Sequence, residues 1–129
     1  IIMKLSGVGV DIVDNSRIKK MIRNKNFLKR VFSSYEILDS KKKTNKTSFF
    51  AKRFAAKEAF SKSLGTGIAK GLNFKEIIIK NDNLGKPNLN ITGKSLITVK
   101  KILKRDKFKV FLSVSDDKPF AIATVIISK

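Results

Sequence analysis

Residues 48–64 read SFFAKRFAAKEAFSKSL, a run without glycine or proline in which phenylalanine and alanine recur three and four residues apart. That spacing is the period of a helix, so the run predicts the longest helix of the chain, capped by Thr47 or Ser48 and stopped at Gly65. Ahead of it, LSGVGVDIV at residues 5–13 predicts a buried strand, with Gly7 and Gly9 marking little room beside it. Asp14 or Asn15 caps a short basic helix with Ile18, Met21 and Ile22 on one stripe. Ser33 and Glu36 have the spacing of a capping box and start another helix, and residues 41–46 form an exposed loop.

After the long helix, residues 74–80 predict a strand centred on Ile77, Ile78 and Ile79. A turn follows at residues 81–85, and Lys86-Pro87 opens a second extended piece. Thr92 caps a helix over about residues 94–104, and FKVFLSVS and FAIATVII form a terminal hairpin about the polar turn at 116–119. Strands and helices mix without regular alternation, which favours an α+β fold over a doubly wound parallel sheet. At 129 residues and 42% apolar content, the expectation is one domain spanning residues 1–129.

Cysteine and histidine are both absent. Disulfides, thiolate metal sites, a cysteine nucleophile and the commonest general base are thereby excluded, leaving carboxylates, lysines, hydroxyls and backbone groups. The formal charge of +19 predicts attraction to polyanions: nucleic acid, anionic lipid, phosphorylated cofactors or acidic proteins. Lysine far outnumbers arginine, whereas bidentate reading of bases and phosphates usually draws on arginine. No run approaches the roughly 20 apolar residues of a membrane span, and no signal-peptide pattern opens the chain, so a soluble, cytoplasmic protein without membrane attachment is expected.

Two acids stand out. Asp11 lies in an otherwise apolar strand, where an unpaired carboxylate is costly; it either caps the next helix, pairs with a lysine or holds a ligand. Glu58 and Lys62 are four residues apart on the long helix, the spacing of an ordinary surface ion pair. Magnesium takes one or two protein carboxylates and completes its shell with water and phosphate oxygens, so Asp11 and Glu58 would also serve such an ion. Lys62 could then neutralise a phosphate, and backbone donors around Gly65-Thr66-Gly67 could approach a polyphosphate.

In order along the chain, GVGVDIV, FAAKEAFSKSLGTGI, the Gly71-Leu72-Asn73-Phe74-Lys75-Glu76-Ile77 segment, NDNLGKP and LSVS resemble the blocks of bacterial holo-acyl-carrier-protein synthases, the short 4'-phosphopantetheinyl transferases. The resemblance implies a mainly antiparallel sheet packed against a long helix. It also implies transfer of 4'-phosphopantetheine from coenzyme A to a serine of an acidic acyl carrier protein, for fatty acid synthesis. By the same resemblance Asp11 and Glu58 match magnesium ligands, and Glu58 and Lys62 catalytic groups. Arg53, Ser61, Lys62, Gly65 and Thr66 fall in the coenzyme A block; Arg17 and Met21 match carrier-docking positions. A homotrimer with active sites between subunits is implied too. One position departs from the pattern: the family's usual histidine after Ser-x-Ser is Asp116 here, which predicts weaker coenzyme A binding offset by neighbouring lysines.

The main alternative is a small basic nucleic-acid-binding protein, whose ten phenylalanines would stack on bases. Against it, most of those phenylalanines fall at core spacings and no nucleic-acid-binding signature is present. An inactive relative kept for assembly or carrier binding is a further alternative, opposed by the presence of Asp11, Glu58 and Lys62.

Overall fold

The computed structural model describes residues 4–65 and 71–129. In chain order its elements are β1 (Leu5–Asp14), α1 (Asn15–Met21), α2 (Lys25–Val31), α3 (Ser34–Ser40), α4 (Lys46–Ser63), a 3-10 turn (Phe74–Glu76), β2 (Ile77–Asn81), β3 (Pro87–Ile91), α5 (Gly93–Leu103), β4 (Lys109–Asp117) and β5 (Phe120–Ser128). The α+β expectation holds. One antiparallel sheet has the order β1-β5-β4, β2 and β3 form a separate hairpin, and α4 packs on the inner face of β1 and β5.

Helix α4 is apolar on more than one side because it lies between the sheet and the smaller helices. Phe49, Phe50, Phe54 and Phe60 join Phe27 and Phe32 in the core, while Ala51, Ala55, Ala56 and Ala59 let neighbouring backbones come close. From the sheet, Ala121, Ala123, Val125 and Ile127 of β5 alternate inward. Ile77, Ile79, Leu89, Val99 and Leu103 complete the same cluster. Six phenylalanines are thus committed to packing, which leaves the base-stacking alternative with little of the surface that suggested it.

Local starts and stops follow capping chemistry. Asp14 caps α1 by accepting from the Ser16 amide at 2.9 Å, and both halves of the Ser33/Glu36 capping box form at α3. Helix α4 begins earlier than Thr47 or Ser48: Asn45 is its cap and accepts from the Ser48 amide at 3.0 Å. Asparagine is at least as good a cap as serine or threonine, and the earlier start adds helical hydrogen bonds. Helix α2 is not anticipated by the sequence reading, although Asn24 caps it and Phe27 and Val31 are buried at helical spacing. Thr92 occupies the cap position of α5, yet its hydroxyl donates to the Glu76 carbonyl; the Glu76 carboxylate instead accepts from the Lys94 and Ser95 amides.

Strand β1 corrects one expectation. It is buried on one face only: Gly9 and Val13 point inward, while Val8, Val10 and Ile12 are 62%, 56% and 59% exposed. Its sequence reads as fully buried because both faces are apolar, and in the single chain the second face is open. Across the sheet, Phe111 of β4 lies on that same outer face. On the inner face, a Cβ added at Gly9 would lie 2.7 Å from the Ser63 amide nitrogen and closer still to the Ala59 carbonyl oxygen. The glycines therefore let β1 touch the backbone of α4, as the close packing read from the sequence requires.

Candidate active site

Asp11 follows Gly9 by two residues, so strand alternation turns its carboxylate to the same inner face, against the C-terminal half of α4. Its side chain is only 14% exposed. Lys62 reaches across from α4, its Nζ donating to Asp11 Oδ1 at 2.9 Å and to the Val10 carbonyl at 3.2 Å. The partner of Lys62 is thus Asp11 on the strand, in place of the helical pairing with Glu58 that four-residue spacing offers. Asp11 holds the Lys62 ammonium above the ordinary lysine range, by hydrogen bond and by charge.

Glu58 lies one turn before Lys62 and is half-buried. Burial raises its carboxyl above the usual range, the Asp11 charge raises it further, and Arg17 and Lys62 counter only in part. Three of the residues singled out from sequence therefore converge, and Arg17 from α1 adds positive potential beside them. Two neighbouring carboxylates, one of them partly desolvated and raised by the charge of the other, are a suitable donor set for a hard divalent cation. Among the described residues no cluster of three or more acidic side chains exists, so substrate oxygens and water would complete the coordination shell.

Glu58 also forms part of the wall of a cavity of about 460 Å³ shared with Arg30, Val31, Leu72, Asn73 and Phe74. Behind it lies a buried ion pair that the sequence reading misses. Lys57 Nζ donates to Glu36 Oε1 at 2.7 Å, to the Phe74 carbonyl at 2.7 Å and to the Val31 carbonyl at 2.9 Å. Burial lowers the Lys57 ammonium to about 8, with Glu36 acting in the opposite sense. The capping-box spacing exposed one role of Glu36; nothing in the local sequence announces its second partner.

The remaining sequence candidates are spread out. Arg53 is five residues from Glu58, about 140° around the helix, and faces a different cavity of about 110 Å³ with Lys52, Asn81 and Pro87. Its guanidinium is 3.7 Å from the Phe49 ring centroid and 3.6 Å from Asp39, and burial lowers it from the ordinary arginine range. Its Nε and Nη2 are buried without a hydrogen-bond partner among the described residues. Ser61 is buried in α4. Gly65 ends the helix at φ +77°, with open space where a Cβ would stand, and Thr66 lies outside the described residues. Arg17 is exposed with its guanidinium 5.7 Å from the Phe54 ring, and Met21 is half-buried against the core. Asp116 pairs with Lys52 at 3.2 Å and accepts from the Ser48 hydroxyl at 3.3 Å, so Lys52 is the lysine beside it.

Residues 7–125, which include Asp11, Glu58 and Lys62, match the 4'-phosphopantetheinyl transferase superfamily. The chain belongs to this superfamily. Within it, the chain is 58% identical over 127 residues to the holo-[acyl-carrier-protein] synthase of Pelagibacter ubique (strain HTCC1062), covering 98% of this chain and 99% of that one. The solved holo-(acyl-carrier-protein) synthase of Bacillus anthracis, in complex with CoA (3',5'-ADP), aligns with a TM-score of 0.80 at 36% identity over 99% of each chain. The Neisseria meningitidis holo-[acyl-carrier-protein] synthase aligns with a TM-score of 0.85 at 35% identity, covering 97% of this chain and 99% of that one. In this superfamily member the paired acids sit where the two main layers, β1 and α4, come into backbone contact.

Proposed function

We propose that this chain transfers the 4'-phosphopantetheine arm of coenzyme A to a serine of an apo-acyl carrier protein, converting it to the holo form. The observation that carries the reading is the convergence of Asp11, Glu58 and Lys62 at the β1–α4 contact of a chain similar over nearly its whole length to holo-acyl-carrier-protein synthases. Asp11 and Glu58 would hold magnesium. When bound there, magnesium would polarise the pyrophosphate of coenzyme A and offset charge on the leaving oxygen.

The chain's own residues divide the remaining work. The serine hydroxyl of the carrier attacks the β-phosphate of coenzyme A; the phosphate–oxygen bond to adenosine 3',5'-bisphosphate breaks and the serine–phosphate bond forms. Glu58 accepts the hydroxyl proton; with no histidine in the chain, that step falls to a carboxylate at the site. Lys62, exposed at its tip and anchored by Asp11, presents a fixed positive charge to the phosphates. Arg53, whose buried Nε and Nη2 have no hydrogen-bond partner among the described residues and whose ion pair to Asp39 is long at 3.6 Å, would receive an anionic part of coenzyme A together with Ser61, Gly65 and Thr66 from the same block. Arg17 and Met21 on α1 would dock the carrier, a basic helix against an acidic partner.

Arg53 faces away from the paired acids, so one chain holds two separated halves of such a site. A homotrimer that joins the Arg53 half of one subunit to the Asp11 half of its neighbour is supported by the open apolar face of Val8, Val10, Ile12 and Phe111. Residues 1–129 would act as one transferase domain in the cytoplasm, in the supply of carrier protein for fatty acid synthesis; no helix among the described residues is long and apolar enough to cross a membrane. The test is incubation with apo-carrier, coenzyme A and magnesium, with the phosphopantetheine adduct read by mass spectrometry. Absence of the adduct with several carriers would overturn the proposal.

A further inference from the structure

The buried Lys57–Glu36 pair lies immediately behind the Glu58 cavity. Both side chains are fully buried, and between them they tie together backbone groups from four places in the fold. Lys57 Nζ donates to the Val31 carbonyl at the end of α2 and to the Phe74 carbonyl at the start of the 3-10 turn. Glu36 accepts from the Ser33 amide at the start of α3 and from the Ile79 amide of β2. Val31 and Phe74 are also walls of the cavity that Glu58 enters, and Lys57 adjoins Glu58 on α4.

A buried ion pair is a poor way to gain stability, because apolar residues of the same volume do as well or better. What apolar residues cannot do is hold two carbonyls at a set distance from one ammonium. We infer that Lys57 and Glu36 are positioning residues that fix two wall segments of the Glu58 cavity, at Val31 and Phe74, in register with the catalytic carboxylate. The inference rests on the transferase reading. Neither side chain touches substrate: each acts through the backbone it holds, so its effect falls on how reacting groups are aligned, while Lys62, anchored on Asp11, keeps its place at the phosphates.

The test is the double variant Lys57→Met/Glu36→Gln, which keeps side-chain volume and leaves no buried charge unpaired. It is expected to fold, with a melting temperature lowered by loss of the hydrogen bonds to the Val31 and Phe74 carbonyls and the Ile79 amide. Its kcat should fall at least about tenfold while KM for coenzyme A stays within about threefold, a split that loss of stability alone does not produce. Backbone amide hydrogen exchange should quicken over residues 29–32 and 73–76. A parent-like kcat, parent-like exchange in those segments, or a double variant that does not fold would each overturn the inference. If the parent itself transfers nothing, the transferase reading fails separately, and exchange alone decides the positioning role.

Discussion

Replacing Gly9 with alanine puts the contact that builds the site under direct strain. The added Cβ would stand 2.7 Å from the Ser63 amide nitrogen, against 3.4 Å for ordinary contact, and deeper still into the Ala59 carbonyl oxygen. Both obstacles are helix backbone and cannot rotate aside, so β1 and α4 must part by at least 0.7 Å, the difference of those two distances. Overpacking of this kind costs about 1–3 kcal/mol, and with immovable partners the upper half of that range is expected. For a chain of this length that corresponds to a melting temperature lowered by roughly 6–12 °C. The same displacement separates Asp11 on the strand from Glu58 and Lys62 on the helix. The 2.9 Å Lys62–Asp11 bond spans the parting layers and comes under strain. Misplacement on this scale should reduce kcat by about 10- to 100-fold. Calorimetry and a mass-spectrometric rate assay measure both effects. Leu103→Ala, a buried α5 position away from the site, serves as control: it should cost about 2–5 kcal/mol and leave kcat unchanged. A Gly9→Ala protein that melts within about 2 °C of the parent and transfers at the parent rate would refute the close-contact argument.

Glu58→Gln should raise the melting temperature at pH 7 in metal-free buffer. Folding raises the Glu58 pKa, so its ionised form opposes folding above that value. The gain should fade as pH falls through the folded-state pKa toward the ordinary carboxylate range of about 4.3, and an unchanged or lower melting temperature at pH 7 would contradict the sign. Asp116→His should lower KM for coenzyme A by removing an acid and freeing Lys52, and an unchanged constant in steady-state assays counts against that role. Ile12→Lys places a charge on the open face of β1 and, if the parent forms the proposed trimer, should leave folded monomers by light scattering; a trimer that persists at equal concentration rules out that face as the interface.

Much of this protein was legible in its residues because local chemistry carries it. Phenylalanine and alanine at helical spacing announce α4, the Ser33/Glu36 box announces α3, and alternating apolar runs announce the terminal hairpin. Gly7 and Gly9 signal a close approach without naming what approaches. Asp11, Glu58 and Lys62 could be nominated because a carboxylate in an apolar strand and a lysine-rich helix turn are conspicuous in one dimension. Their grouping could not, since it depends on which face of β1 meets which face of α4. Only the tertiary structure gave Lys62 to Asp11 in preference to Glu58, turned Arg53 away from the paired acids, and joined Lys57 to Glu36 across 21 positions. Period and capping act over one or two turns and are written locally, whereas partners for buried charges are chosen by packing between distant segments, where desolvation makes an unpaired group costly.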